Sequence, residues 1–334
     1  RLTMPQIAVV MPVYNAAAVV GRAIGSILAQ SFSDFELIVV DDGSTDETLA
    51  VVQSFRDDRL RAVPVAHQGV ALAANTGTAE STARLIARMD ADDFAHVDRL
   101  QNQFRLLREE EYDVVGCEVN IVAGDGAAVE SMQNYQAWIN EETSTAERIR
   151  ALRFVELGIV NPTILARREY FELGYRDGDF PEDYDLFLRA IQEGLRPGKV
   201  AEPLLEWTDG PNRLTRTDSR YSSAGFDCCR RHYLLLGPLS NVAVVDLWGV
   251  GETGKPWLRW LKACGIAVRR AYDVNPRKQG ETIHGTPVYH PDEVLPADGT
   301  PLIIAVGAPG ARRIIEPQLV EHGYTLGDDA WFVA

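Results

Sequence analysis

The sequence predicts an α/β protein in two parts: a doubly wound mixed sheet over residues 1–237 and a smaller Rossmann-like unit over 238–334. Three observations carry that expectation. Short apolar runs alternate with helical patterns through the first hundred or so residues, the order that builds a mainly parallel sheet. Several of these runs end in acidic residues at a turn, where open α/β sheets bind ligands. After Gly237-Pro238 the pattern restarts with a strand, a glycine-rich turn and a helix.

Element by element, residues 7–11 form a β-like run closed by Pro12-Val13-Tyr14-Asn15, and a helical pattern follows over 19–28. Residues 36–40 read as the second strand, and Ser44-Thr45-Asp46-Glu47 as a helix start with acidic first-turn residues. A third strand is expected at 61–65, a helix at 70–79 and a fourth strand at 85–89. Residues 113–117 and 119–122 continue the sheet, 143–153 reads as a helix, and 161–167, limited by Pro162, as an edge strand or loop. A helical pattern covers 184–191. Loop-like composition at 209–212 precedes a connecting helix over 221–236. The second unit offers strands at 242–248, 266–272 and 302–306, the last closed by Gly307-Ala308-Pro309-Gly310.

Composition narrows the function. With 48 acidic against 33 basic residues the net charge is −15, which disfavours nonspecific binding to nucleic acid or anionic lipid. Local basic spots at Arg213, Arg216 and Arg220 remain free to meet phosphate. No apolar stretch approaches the roughly 20 residues of a transmembrane helix. The four cysteines form no Cys-x-x-Cys pair, and adjacent Cys228-Cys229 would make a strained bridge, so reduced thiols are expected. A cytoplasmic location fits best, with peripheral contact at the inner face of a membrane left open.

Acidic clusters suggest the chemistry. Asp41-Asp42 closes one apolar run, Asp90-Ala91-Asp92-Asp93 another, and Glu182-Asp183 opens a helical pattern. So many converging carboxylates repel one another unless a cation or a ligand's donors join them. A planar base could stack on Tyr14, and Asp42 could accept the N3 proton of uracil. Asp90-x-Asp92 offers hard oxygen ligands suited to Mg²⁺ or Mn²⁺, ions that usually share such sites with substrate phosphates. An Asp-x-Asp alone is weak evidence, since most are surface turns or helix caps.

Four segments in order change the odds: Val10-Met11-Pro12-Val13-Tyr14-Asn15, Val40-Asp41-Asp42-Gly43-Ser44-Thr45-Asp46, Met89-Asp90-Ala91-Asp92-Asp93 and Pro181-Glu182-Asp183-Tyr184-Asp185-Leu186. Together they resemble the family-2 inverting glycosyltransferases of the GT-A, nucleotide-diphospho-sugar transferase fold, over about residues 5–235. The resemblance implies a nucleotide-sugar donor, a UDP-sugar by the uracil reading, a divalent cation (Mn²⁺ or Mg²⁺), and inversion at the anomeric carbon. Carried over by position, Pro12, Tyr14 and Asp42 would hold the nucleoside, with Asn15 beside them. Asp90, Ala91 and Asp92 would serve ribose, diphosphate and metal, and Asp93 shares the metal role. Asp183 would be the general base, with Glu182 contacting the acceptor or positioning it; the alternative for Asp183 is a helix N-cap. Ala74 stands where many relatives carry Arg, leaving Asn75 as the polar group there, and Asn161-Pro162-Thr163 replaces a frequent His-Pro-Thr. Arg213 or Arg216, on a loop that closes over the donor in similar proteins, would contact diphosphate; solvated loop charge is the alternative.

In the second unit Gly249-x-Gly251-x-x-Gly254 lies between a strand and a helix, with Asp273 at the next strand end, as in a dinucleotide-binding fingerprint. The same residues spell a near P-loop, but Pro256 stands where Ser or Thr should ligate Mg²⁺, which rejects an ATPase. A ligand-binding unit and a structural or homo-oligomerising one both remain open. The expected activity is hexosyl transfer to a glycan or lipid-linked acceptor in cell-surface polysaccharide synthesis. The rivals are a nucleotide-sugar sensor without turnover and an NAD(P)-linked activity of the second unit. The six histidines show no ligand spacing and read mostly as surface or structural; Trp138 and Trp207 are candidates to line a sugar site, and the loop 124–138 to select the acceptor.

Overall fold

The computed structural model describes residues 4–124, 129–210 and 213–334, so part of the 124–138 loop and Asn212 lie outside the described residues. The chain divides into two compact units, Arg1–Ile149 with Gly158–Cys229, and Arg150–Leu157 with Arg230–Ala334.

The first unit opens as a parallel α/β sheet: β1 (Ile7–Val13), α1 (Val20–Leu28), β2 (Phe35–Asp41), α2 (Thr48–Ser54), β3 (Leu60–Pro64), α3 (Val70–Glu80) and β4 (Leu85–Arg88). Then come β5 (Phe94–Ala95), α4 (Arg99–Glu109), β6 (Val114–Val122), α5 (Gln133–Ala137), α6 (Ala146–Ala151), β7 (Leu165–Arg167), α7 (Arg168–Glu172), α8 (Glu182–Gln192), β8 (Pro197–Thr208), α9 (Leu214–Thr217) and α10 (Ser223–Leu236). The strand order is β3-β2-β1-β4-β7-β6-β8-β5. β1 to β4 run parallel, whereas β7 is antiparallel to both its neighbours. The mixed sheet expected from the sequence is therefore present.

The continuous apolar character of the early strands follows from burial on both faces. All seven β1 residues are buried, and Ala8, Ile38, Val40 and Ala73 pack in one cluster under α3. Because β1 lies between β2 and β4, the C-terminal ends of these three strands, and the loops Pro12–Asn15, Asp41–Gly43 and Met89–Asp93, share one edge.

Several elements differ from the sequence expectation; the segment expected as an edge strand or loop at 161–167 ends in β7, which lies inside the sheet between β4 and β6. The strands expected at 113–117 and 119–122 are one strand, β6, whose register slips on either side of Glu118. The helix expected at 143–153 contracts to Ala146–Ala151. Thr143 is buried, donating from Oγ1 to the Ile139 carbonyl and accepting from the Lys199 ammonium, which ends the preceding π-helical turn Trp138–Glu142. Helix α4 was not expected, although Leu100, Phe104 and Leu107 stand at helical spacing; its inner face also includes buried Arg99 and Gln103.

The second unit contains β9 (Val244–Trp248), α11 (Gly254–Ala263), β10 (Ala267–Tyr272), β11 (Thr282–Ile283), β12 (Thr286–Tyr289), β13 (Leu302–Ile304), α12 (Ala311–Glu321) and β14 (Ala330–Phe332). Its strand order is β11-β12-β10-β9-β13-β14, parallel except for β11. This is the smaller Rossmann-like sheet that the glycine-rich turn implied. Among the described residues no helix is long and apolar enough to cross a membrane.

Candidate active site

A buried arginine organises the floor of the acidic edge. Arg88, 2 % exposed at the end of β4, donates to the Met89 carbonyl at 2.7 Å and pairs with Asp90 Oδ1 at 2.8 Å. Behind it, fully buried Arg99 donates to the Arg88 carbonyl at 2.7 Å and to Gln103 Oε1 at 3.1 Å. Gln103 in turn donates to the Val115 and Thr163 carbonyls. This polar column satisfies carbonyls that a sheet edge would otherwise leave buried and unpaired, and so fixes the turn carrying the aspartates. Arg88 was not foreseen from sequence: an arginine in an apolar run reads as a solvent-facing position.

Of the three aspartates, Asp90 is thus already paired, while Asp92 and Asp93 have no cationic partner in hydrogen-bonding contact among the described residues. Asp93 is 1 % exposed; its Oδ1 accepts the Thr208 N–H at 2.8 Å, and its Oδ2 has no partner. Burial, then the charges of Asp90 and Asp92, push the Asp93 carboxyl well above the usual range. Asp92 is exposed as a residue, but loss of water around its carboxyl, then Asp90, raises it too. Thr208, at the end of β8, holds the turn from above by donating to the Asp92 carbonyl.

Glu182 and Asp183 start α8. Tyr221 donates its hydroxyl across both Glu182 oxygens at 2.8 and 2.7 Å, and Arg220 approaches at 3.8 Å. Glu182 is 4 % exposed, so its carboxylate is occupied by these partners. Asp183 keeps one oxygen on the Tyr184 N–H, at 2.7 Å, inside the first turn; the N-cap position is Pro181, with no side-chain cap bond, so the N-cap alternative for Asp183 is not met. Its carboxyl is pushed up to about 8 by burial first, then by Glu182, with Asp90 contributing. The Asp90 contribution places the base candidate within electrostatic reach of the aspartate turn.

Nearby, the arginines singled out in the sequence both face Asp209: Arg216 pairs with it at 2.7 Å and Arg213 at 3.6 Å. The Arg213 guanidinium also lies 4.1 Å over the Trp207 ring, and its charge is felt at Asp92 and Asp93. Trp207 neighbours Tyr135, itself beside Trp138, which forms an aromatic wall next to Thr208.

On the β1–β2 side, Tyr14 is 47 % exposed and stacks on His67, with centroids 4.2 Å apart and planes at 25°. Asp42 is 2 % exposed and accepts the Gln68 and Gly69 N–H groups, both at 2.9 Å. Gly43 has φ +72°, and a Cβ there would stand 2.8 Å from the His67 nitrogen, so only glycine lets these loops meet. Pro12 is buried in β1. Asn15, exposed, accepts from Thr45 through its Oδ1, whereas the Asn75 amide pairs with both backbone groups of Tyr175. His67, Arg88, Thr208 and Tyr221 are the residues here that sequence patterns did not reveal.

The second unit holds a separate cavity of about 490 Å³ at the ends of β9, β10 and β13, lined by Trp248, Gly251, Asp273, Lys278, Val306 and Ile314 among others. Gly249 and Gly254 are demanded by packing, since a Cβ on Gly254 would fall 1.8 Å from the Gly249 carbonyl oxygen. Gly251 is not: its Cβ would meet nothing nearer than Lys278 Nζ at 3.8 Å. Asp273 is saturated by the Val250 and Asn275 N–H groups and by Lys278 at 2.9 Å.

Comparison with known proteins agrees with this architecture. The family model described as Glycosyl transferase family 2 matches residues 8–174, and one described as CoA binding domain matches residues 241–326. The chain is 27 % identical over 218 residues to the uncharacterized glycosyltransferase EpsJ of Bacillus subtilis (strain 168), covering 64 % of this chain and 63 % of that protein. The chain thus spans less than two thirds of that relative. It is 24 % identical to the O-antigen biosynthesis glycosyltransferase WbnJ of Escherichia coli, over 61 % of this chain and 80 % of that one. Among solved structures, S. aureus TarS in complex with UDP-GlcNAc superposes with a TM-score of 0.56 at 20 % identity, covering 70 % of this chain and 67 % of TarS. The mannosyltransferase PcManGT of Pyrobaculum calidifontis, in complex with GDP-Man and Mn²⁺, gives 0.52 at 18 % identity, covering 70 % of each chain. The chain belongs to glycosyl transferase family 2: a glycosyltransferase with a GT-A N-terminal unit, followed by a Rossmann-like unit.

Proposed function

We propose that this chain is a metal-dependent, inverting hexosyltransferase that moves a sugar from a UDP-linked donor to a hydroxyl of a glycan or lipid-linked acceptor. In this reading residues 1–237 carry the transfer, and the product is a cell-surface polysaccharide, as the name of the WbnJ relative suggests. The observation that carries the proposal is Asp93 Oδ2, a buried carboxylate oxygen without a partner, beside unpaired Asp92. Buried carboxylates are paired or hold metals. Asp92 and Asp93 fit Mn²⁺ or Mg²⁺, with Asp90 committed to Arg88. Among the described residues no three His, Cys, Asp or Glu side chains form a metal cage, which fits an ion that takes its remaining ligands from a diphosphate. When bound, the ion would offset the charge that develops on the leaving diphosphate.

The chain's own groups supply the rest. Pro12, Tyr14 and Asp42 frame the nucleoside side, and Arg213, released from Asp209, meets diphosphate. Asp183 takes the acceptor hydroxyl's proton during attack on the anomeric carbon, from the face opposite the departing diphosphate. Burial and the neighbouring carboxylates raise the Asp183 carboxyl, and a raised carboxyl is a better proton acceptor when ionised than an ordinary surface aspartate. Tyr221 holds Glu182 so that it steers Asp183 rather than competing for the proton. For the second unit, we propose that the 490 Å³ cavity accepts a phosphate-bearing ligand at the glycine turn. The test is release of nucleoside diphosphate from UDP-sugars with and without Mn²⁺, in the intact chain and in Asp92→Ala. No metal-stimulated turnover in the intact chain, with nucleotide binding retained, would favour the sensor reading.

A further inference from the structure

Asn75 and Asn161, the polar groups at the two departures from the family pattern, meet at one residue, Tyr175. Asn75, next to buried Ala74, donates to the Tyr175 carbonyl and accepts its N–H, both at 2.8 Å. Asn161 accepts the Tyr175 hydroxyl on Oδ1, also at 2.8 Å. Arg189, from the helix that Glu182 and Asp183 begin, donates to the Leu173 and Gly174 carbonyls just before Tyr175. Tyr175 is 5 % exposed, so these bonds hold both ends of a buried side chain. The Asn161 amide that it orients keeps Nδ2, whose hydrogens meet no acceptor among the described residues.

Asn161 also stands at the reacting edge. β7 runs antiparallel to β4, and the Arg88 N–H bonds the Ile164 carbonyl at 2.8 Å. The 3₁₀ turn Asn161–Thr163, which leads into β7, therefore lies at the end of β4 where the aspartate turn begins. Gln103 fixes this turn through the Thr163 carbonyl. Burial raises the Tyr175 hydroxyl first, and after it the charges of Arg88, Asp183, Asp90 and Glu182 are felt there. The hydroxyl that Asn161 meets is thus within electrostatic reach of both acidic groups, the aspartate turn and the Glu182-Asp183 pair.

The geometry points to Asn161 as a residue that reads the transferred sugar, its Nδ2 donating to a ring hydroxyl while Tyr175 sets the direction of the amide. This rests on the proposed nucleotide-sugar donor and deepens it. In an inverting displacement the reacting ring occupies the gap between the leaving diphosphate and the base. An amide N–H fixed beside that gap meets the ring's hydroxyl oxygens, which are good acceptors. Tyr175 acts only through Asn161 and is a positioning residue.

The experiment is calorimetric titration of the full chain in Mn²⁺ with UDP, UDP-glucose, UDP-galactose and UDP-GlcNAc, repeated with Asn161→Ala, Tyr175→Phe and the two together. For the UDP-sugar that the intact chain binds most tightly, Asn161→Ala should weaken binding about three- to tenfold, with UDP itself within about twofold. Tyr175→Phe should weaken the same sugar by a smaller factor and add nothing once Asn161 is alanine. Asn161→Leu with Tyr175→Phe removes both polar partners together, so the comparison survives if the unpaired Tyr175 hydroxyl unfolds Asn161→Ala. Equal loss of UDP and UDP-sugar would overturn the assignment, as would unchanged binding of every UDP-sugar. An effect of Tyr175→Phe that persists in full without Asn161 would overturn the positioning role. Absence of Mn²⁺-dependent UDP binding in the intact chain would sink the donor reading and this inference with it, whereas UDP binding indifferent to Asn161 for every sugar sinks this inference alone.

Discussion

Each unit carries a buried aspartate in the turn that follows a central strand, Asp93 after β4 and Asp273 after β10, and the two are surrounded in opposite ways. Asp93, in the first unit, is buried with one oxygen unpartnered and other carboxylates pressing on it. Asp273, in the second, is ringed by two backbone N–H groups and Lys278. Burial pushes Asp273 up as well, but Lys278 and then the Asn275 and Val250 N–H groups bring it below the usual range. The first site is electrostatically incomplete, and in the proposed function a cation completes it. The second is complete, because Asp273 has its partners within the unit. The same strand-end topology thus supports two chemistries, and the partners of one carboxylate separate them.

The sharpest test removes chemistry from the first unit alone. Asp183→Asn should lower kcat about 10²–10⁴-fold, the usual worth of a general base, while the UDP affinity measured by calorimetry stays within about twofold. Asp92→Ala should cost about 10²–10³-fold in turnover by removing charge stabilisation, and metal-dependent UDP binding should vanish with it. Any ligand of the second unit should bind both variants as it binds the intact chain. A matching loss there would break the contrast.

Stability against pH should carry opposite signs. The carboxyls of Asp93 and Asp183 are raised on folding, so their contribution is present below about pH 4 and is lost as pH climbs through their folded values, about 8 for Asp183. Asp273 is lowered, so its contribution is present above about pH 4 and fades as pH falls through its folded value. Thermal melts of metal-free protein should therefore show Asp93→Asn raising Tm at pH 8 and Asp273→Asn lowering it. Saturating Mn²⁺ should raise the Tm of the intact chain and leave Asp93→Asn nearly unmoved. If both substitutions moved Tm in the same direction, the contrast would be falsified.

The smallest effects distinguish the glycines. Gly254→Ala forces a Cβ onto the Gly249 carbonyl and should cost about 1–3 kcal/mol or more by overpacking. Gly251→Ala has room and should stay within about 0.5 kcal/mol while weakening any ligand of the cavity. Melts of the two variants check the pair.

How much was legible follows from what a pattern can encode. β1, α1, β2 and α3 were readable because both-face burial and helical periodicity repeat within a few residues. The acidic clusters were readable because four motifs stand in order along the chain. The roles of buried Arg99 and Gln103 on α4 were not, since their value lies in carbonyls from Arg88, Val115 and Thr163. Nor was Tyr221, 39 residues from the Glu182 it clamps. Nor was the pairing of the Asn75 amide with the Tyr175 backbone, 100 residues away.

By itself, then, the sequence determined the fold class, the two-part layout and which strand ends would be acidic, because periodicity and local charge are properties of adjacent residues. The tertiary structure alone decided which carboxylates are free. Asp90 meets Arg88, Asp42 meets His67 and the 68–69 backbone, Glu182 meets Tyr221, and Asp93 is left with an oxygen unclaimed. The reason is physical: a carboxylate's role depends on the donors within about 3 Å of it. Chain folding brings those donors from anywhere in the sequence.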